Sequence, residues 1–195
     1  MILASPQRRP VLRLAEPMIE LMHGTDADLD DLEQYVDRAV QEKYRGVRLY
    51  WDGRAAWSRQ GIEAELPGEW YDALPSLPLD AEFYDGVDGE RRCASAIRFG
   101  PKHVTRGMKI IAFDAPSMPD APWVDRIQAV ARAVEAADFD RLEYAPWGRV
   151  ASLDAMLSSL AHVHARQGEG LILRKPDSLY RPGYSDNIVK LKHSV

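Results

Sequence analysis

Glu42-Lys43-Tyr44-Arg45-Gly46-Val47-Arg48-Leu49-Tyr50-Trp51-Asp52-Gly53 is the stretch from which the rest of the chain can be read. Tyr44, Val47, Leu49 and Trp51 alternate imperfectly with charged residues, the period of a strand. Asp52-Gly53 is a hairpin signal, and residues 55–58 read as the return strand. Lys43 stands at the start of this unit. A protonated lysine is a poor nucleophile, and neighbouring cations, a bound metal or desolvation can free its amine. Arg45 and Arg48 are close enough in sequence to act that way, and Gly46 would let a phosphate approach the backbone. Read alone, the stretch also fits a strand with solvated charges on its open face.

Upstream, residues 1–24 contain prolines and read as a lead-in segment. Thr25 is a good N-cap, and Leu29, Leu32, Tyr35, Val36, Ala39 and Val40 recur at helical spacing, so a helix is expected over 26–40. Downstream, residues 67–74 suggest a short helix, 77–84 a strand and Asp88-Gly89 a tight turn. Residues 109–113 read as a buried strand. Pro122 opens a helix reaching Ala137, and 142–145 is a short strand. Ser152 caps a helix that Gly168 ends, and 171–174 and 188–192 are the last strands. Helices and hairpins mix without a βαβ rhythm. The expected fold class is α+β with mainly antiparallel sheets flanked by helices.

Four further segments carry chemistry. Asp80 and Glu82 fall on one face of a strand, where two carboxylates could take Mg²⁺ or a ribose hydroxyl. Phe113 ends a buried strand and could stack on a base or fill the core. Glu169 lies between two glycines before a strand, a placement suited to a metal ligand at a cleft. Lys190 and Lys192 share a strand face, as a phosphate clamp or as the protective charge of an edge strand would.

The order of these segments says more than any one of them. Lys-x-x-Gly-x-Arg from Lys43 is followed by an acid-bearing strand, an aromatic strand, a Glu-Gly loop and a Lys-x-Lys strand. The series resembles that of the covalent nucleotidyltransferases, which comprise DNA ligases, RNA ligases and mRNA capping enzymes. Glu42-Lys-Tyr-Arg-Gly-Val-Arg, Ser58-Arg-Gln-Gly, Pro78-Leu-Asp-Ala-Glu, Gly168-Glu-Gly-Leu-Ile-Leu and the segment from Leu179 to Lys192 look like the minimal ATP-dependent DNA ligases of bacteria and their phages. The resemblance covers about residues 38–192.

It implies an ATP-grasp-like nucleotidyltransferase fold, with residues 1–195 a single adenylation domain. It implies a lysyl–AMP formed on Lys43, passed to the 5′-phosphate of a nick in double-stranded DNA and displaced by the 3′-hydroxyl. By the same resemblance Glu42, Arg48, Glu82, Phe113, Lys190 and Lys192 bind the nucleotide. Glu169 and Glu82 hold Mg²⁺ or Mn²⁺, and Ser58 and Arg59 touch the DNA. The alternatives are an RNA ligase or RNA-repair adenylyltransferase, and a non-catalytic nucleic-acid-binding module. Arg45 and Ala81 depart from the family pattern, which has an acid and a glycine there. The chain ends three residues after Lys192, so no oligonucleotide-binding (OB) domain is expected. Either this is an excised adenylation domain, or Arg59, Arg91, Arg92, Arg98, Lys102 and Arg106 provide the grip on DNA.

Composition bounds these readings. A net charge of −5 argues against a uniformly basic coat, but basic clusters at 43–59, 91–109 and 174–192 allow a basic face. The single cysteine, Cys93, excludes an internal disulfide and a cysteine-rich zinc site. No apolar run approaches the ~18 residues of a membrane span, and the N-terminus lacks the order of an export signal. The expectation is a cytoplasmic monomer with no membrane partner.

Overall fold

The structure is a computed structural model and describes residues 20–192. Its strands are β1 (Met22–Asp26), β2 (Ala39–Lys43), β3 (Val47–Trp51), β4 (Ala56–Ser58), β5 (Glu63–Ala64), β6 (Leu79–Tyr84), β7 (Lys109–Asp114), β8 (Leu142–Tyr144), β9 (Trp147–Arg149), β10 (Gly170–Arg174) and β11 (Gly183–Lys192). The helices are α1 (Gly68–Ala73), α2 (Glu90–Phe99), α3 (Trp123–Ala137) and α4 (Leu153–Ala165).

Two sheets result. One has the order β1-β11-β10-β2-β9, the other β5-β4-β3-β6-β7-β8. Only β1 with β11 and β7 with β8 pair in parallel. The α+β class with mainly antiparallel sheets is therefore observed. The larger core joins the six-stranded sheet to α1, α2 and α3 around Trp51, Trp70, Phe83 and Trp123. A smaller core beneath the five-stranded sheet joins Leu171, Leu173, Val189 and Leu191 to Met156 and Val163 of α4. Each fully buried side chain of this size contributes about 1.5–3 kcal/mol of apolar transfer.

Consecutive strands β2 and β3 belong to different sheets. Residues 44–46 are thus the crossing between the sheets, with Lys43 at one end and Arg48 just past the other. Gly46 is required by this crossing. A Cβ there would sit 2.2 Å from the carbonyl oxygen of Phe83. The glycine serves a close approach of the chain to β6.

The helix expected over 26–40 does not form. Thr25 belongs to β1, residues Leu32–Tyr35 make a single 3₁₀ turn, and 39–43 is a strand. Asp37 adopts φ 70°, which breaks the turn from the strand. The Asp37 N–H bonds to the Val150 carbonyl, and the Val150 N–H bonds to the Arg38 carbonyl. Ala39 and Gln41 then alternate into the interior, so tertiary pairing outweighs the helical spacing. The lead-in assigned to 1–24 is replaced by β1 from Met22 onward, and residues 1–19 lie outside the described residues.

Helix α2 was absent from the sequence reading, which had a turn at Asp88-Gly89 and a basic cluster after it. Cys93 and Ala96, three apart, are its buried residues and were its signal. Helix α4 begins as expected, with the Ser152 Oγ accepting from the Ala155 N–H at 3.1 Å. It ends at Ala165, before the expected Gly168, because Gln167 takes the left-handed conformation at φ 62°. No helix among the described residues is long and apolar enough to cross a membrane.

Candidate active site

Strand register explains why one cleft collects the reactive residues. In the five-stranded sheet Lys43 is level with Gly170, and Gly170 with Lys192. One row away, Gln41 is level with Ile172, and Ile172 with Lys190. Four of these side chains, Lys43, Lys192, Gln41 and Lys190, are cationic or polar and share a face. Gly170 lies between Lys43 and Lys192 with no side chain to fill the gap. It adopts φ 151°, and a Cβ would come 2.3 Å from the Leu191 carbonyl oxygen.

In the six-stranded sheet Arg48 is level with Glu82, and Glu82 with Ile111, two residues before Phe113. The two faces enclose a cleft of about 520 Å³ that includes Lys43, Arg48, Glu82, Phe113, Lys190 and Lys192. The sequence-selected residues are thus gathered from both sheets.

The Lys43 Nζ lies 2.5 Å from Glu169 Oε2, and both side chains are about four-fifths covered. Arg48 donates to Asp80 through Nε at 2.6 Å and Nη2 at 2.5 Å, and to the Met22 carbonyl at 2.9 Å. Tyr180 completes the arrangement by donating to Asp80 Oδ2 at 3.0 Å and accepting from the Met22 N–H at 3.2 Å. Burial opposes the Arg48 charge, but Asp80 outweighs it and raises its pKa above the arginine range. Asp80 is therefore a buried anchor for Arg48 and cannot take the metal or ribose role that its shared strand face with Glu82 suggested. The Arg48 Cζ sits 5.0 Å above the centre of the Phe113 ring. Phe113 faces the cleft and is not a core residue.

Glu82 accepts from the Gly46 N–H at 3.0 Å. Burial pushes its carboxyl up to about 7, against the pull of Arg48, Lys43 and that N–H, while Glu169 adds to the rise. The folded protein therefore holds a proton on Glu82 between about pH 4.5 and 7, where the unfolded chain has lost it. Its contribution to stability is fully present below 4.5 and is lost as pH rises through 7. Glu82→Gln is expected to gain stability relative to the parent protein between pH 5 and pH 8. Urea unfolding at both pH values, without divalent cation, checks this, and a constant difference would contradict it.

Besides Asp80, two residues differ from their sequence assignments. The Glu42 carboxylate turns away to Arg166, 2.9 Å distant, because neighbouring strand residues point to opposite faces. It borders the cleft but is committed to the end of α4. Ser58 is 4% exposed, and its Oγ accepts from the Ile62 N–H at 3.2 Å. It shapes the turn that presents Arg59, which is exposed at the cleft, and does not itself reach outward. Of the other basic candidates, Arg92 is bound to Asp85 at 2.5 Å and Arg98 lies over Phe99.

Sequence reasoning missed Gln41. Its Nε2 donates to the Ala145 carbonyl at 3.0 Å, which leaves Oε1 as an acceptor at the cleft wall. Its position two residues before Lys43, on the same strand face, was the available signal.

Glu169 and Glu82 offer oxygen donors beside Lys43, the ligand type that suits Mg²⁺ or Mn²⁺ when phosphate oxygens complete the shell. Among the described residues no three His, Cys, Asp or Glu side chains gather as a metal-holding group. These residues fit a cation that arrives with a nucleotide.

No protein-family model matches the chain. In sequence it is similar to a DNA ligase of Haemophilus influenzae (strain ATCC 51907 / DSM 11121 / KW20 / Rd), 25% identical over 174 residues, covering 86% of this chain. The chain spans 64% of that relative's length. In structure it is similar to a Lig E DNA ligase with a minimal DNA-binding scaffold, at TM-score 0.81 and 23% identity over 90% of this chain and 69% of that one. It is also similar to the Chlorella virus DNA ligase–adenylate, at TM-score 0.72 and 17% identity over 89% of this chain and 69% of that one. With its two sheets and the lysine at their crossing, the chain has the nucleotidyltransferase fold of the DNA ligases.

Proposed function

We propose that residues 1–195 act as the adenylation domain of an ATP-dependent DNA ligase. The Lys43 amine attacks the α-phosphorus of ATP. An N–P bond forms, the P–O bond to pyrophosphate breaks, and the amine proton leaves to solvent. The AMP then passes to the 5′-phosphate of a nick, and the 3′-hydroxyl displaces it. The observation that carries this reading is Lys43 itself, covered, paired with Glu169 and set at the junction of two sheets that both send cations to it.

The remaining residues act by positioning and charge, which is most of what such a transfer needs. Phe113 stacks on the adenine, with the Gln41 Oε1 as an acceptor for its exocyclic amine. Arg48, held by Asp80, holds the ribose or phosphate end. Lys190 and Lys192 neutralise the α-phosphate, and Asp26, at 3.4 and 3.9 Å from them, occupies these lysines until phosphate arrives. Glu169 and Glu82 hold the divalent cation, which supplies further positive charge to the phosphates when bound. Arg59 takes the DNA backbone.

Incubation with α-labelled ATP and Mg²⁺ tests the proposal. Covalent label on the protein, transferable to a nicked DNA duplex, is expected. An unlabelled protein would support a binding module, and joining of RNA ends alone would support an RNA ligase. Lys192→Ala is expected to slow labelling about a hundredfold, the scale for losing one preorganised charge-stabilising group. Its stability should change by no more than about 0.5 kcal/mol, since the side chain is half exposed and its ion pair is long. Equal losses of melting temperature and rate would count against the clamp.

A further inference from the structure

At the open end of the cleft, His23 of β1 and Tyr184 of β11 are register partners in the parallel pair. Their ring centroids are 5.6 Å apart with planes at 49°. Tyr184 is 76% exposed, the most exposed large apolar side chain among the described residues. Phe113, by contrast, lies under Arg48 in the cleft wall. The Tyr184 ring is exposed and His23 beside it is only half-buried, so core packing does not explain the pair.

The surroundings are cationic. Burial lowers the His23 pKa, as do Arg48, Arg59 and Lys190, against Asp80. Beyond Gly24 the β1–β11 register jumps, from Gly24 opposite Ser185 to Thr25 opposite Val189. This irregularity separates the rings from the lysine clamp. Asp26, the register partner of Lys190, is three residue steps along β1 from His23, which is about 10 Å of strand. Aromatic rings beside backbone-binding cations are the pattern of a nucleobase platform.

We propose that His23 and Tyr184 form a stacking platform for the end base that a DNA duplex exposes where it unstacks at a nick. The platform is separate from the Phe113 position and rests on the ligase reading above. Arg59 takes the adjoining phosphate, and the rings take the base face irrespective of its sequence.

Fluorescence anisotropy of a labelled nicked duplex tests this. Tyr184→Ala is expected to weaken binding about tenfold, and Tyr184→Phe to restore it, because stacking needs the ring and not the hydroxyl. An abasic residue beside the nick, scanned on both sides, should reproduce that loss in the parent protein at one position. It should add nothing to Tyr184→Ala. Unchanged nick binding in Tyr184→Ala would overturn the proposal, as would an equal loss on unbroken duplex. A fall in ATP labelling of Lys43 in step with nick binding would assign the rings to the nucleotide and also overturn it. Failure of the parent protein to label with ATP would sink the ligase reading instead, while the abasic comparison still decides the platform.

Discussion

Lys43→Ala is expected to lose all covalent labelling by ATP while the protein stays folded. The amine is the protein group that forms a covalent bond in the proposed reaction, and binding residues cannot replace it. Lys190 and Lys192 share the cleft, but they stand on β11, on the far side of β10 from Lys43, and lie beside Asp26. Lys43→Arg should be equally dead, because a guanidinium keeps the charge and cannot give up its proton at working pH. The stability change should be small, under about 1 kcal/mol, since the Lys43–Glu169 pair is partly solvated. Mass spectrometry of the intact protein after incubation with ATP reads the result. An adenylate that persists in Lys43→Ala would move the nucleophile elsewhere.

Asp114→Asn is expected to be among the most destabilising single changes in the chain, by about 3–5 kcal/mol. Asp114 is fully buried and holds two buried arginines. It accepts from Arg126 Nε at 2.6 Å and Nη2 at 3.1 Å, and pairs with Arg174 Nη1. Removing the carboxylate charge leaves two guanidinium groups in the core with no anion between them. Arg126 keeps the Ala121 and Ser178 carbonyls, whereas Arg174 already has one buried nitrogen, Nε, without a partner. For a domain of this size the loss corresponds to a melting temperature lower by roughly 10 °C. Thermal unfolding by circular dichroism measures it, and a drop of only a degree or two would show that the core tolerates the unpaired charges. Asp114 directly follows Phe113, so the same anchor sets the ring in the cleft.

Much of this was legible along the chain. The Asp52-Gly53 turn, the strand through Asp80 and Glu82, and helix α3 all formed where periodicity and punctuation put them. The ordered series from Lys43 to Lys192 was legible through its resemblance to the covalent nucleotidyltransferases, while strand geometry alone put Asp80 with Glu82 and Lys190 with Lys192 on shared faces. What a linear reading cannot supply is the partner of each face. Residues 26–40 satisfy a helical period, yet Ala39–Lys43 became a strand because β9 and β10 flank it on both sides.

The same limit governs the charges. Asp80 and Glu82 look equivalent in sequence. Arg48 and Tyr180 reach Asp80 and lock it, while Glu82 meets a backbone N–H and stays in the cleft. Glu42 and Ser58 were spent on Arg166 and Ile62 for the same reason. Local order along a chain dictates which residues can share a strand face. Which of them remain available for chemistry depends on long-range neighbours, because a buried polar group must be paired and the nearest partner takes it.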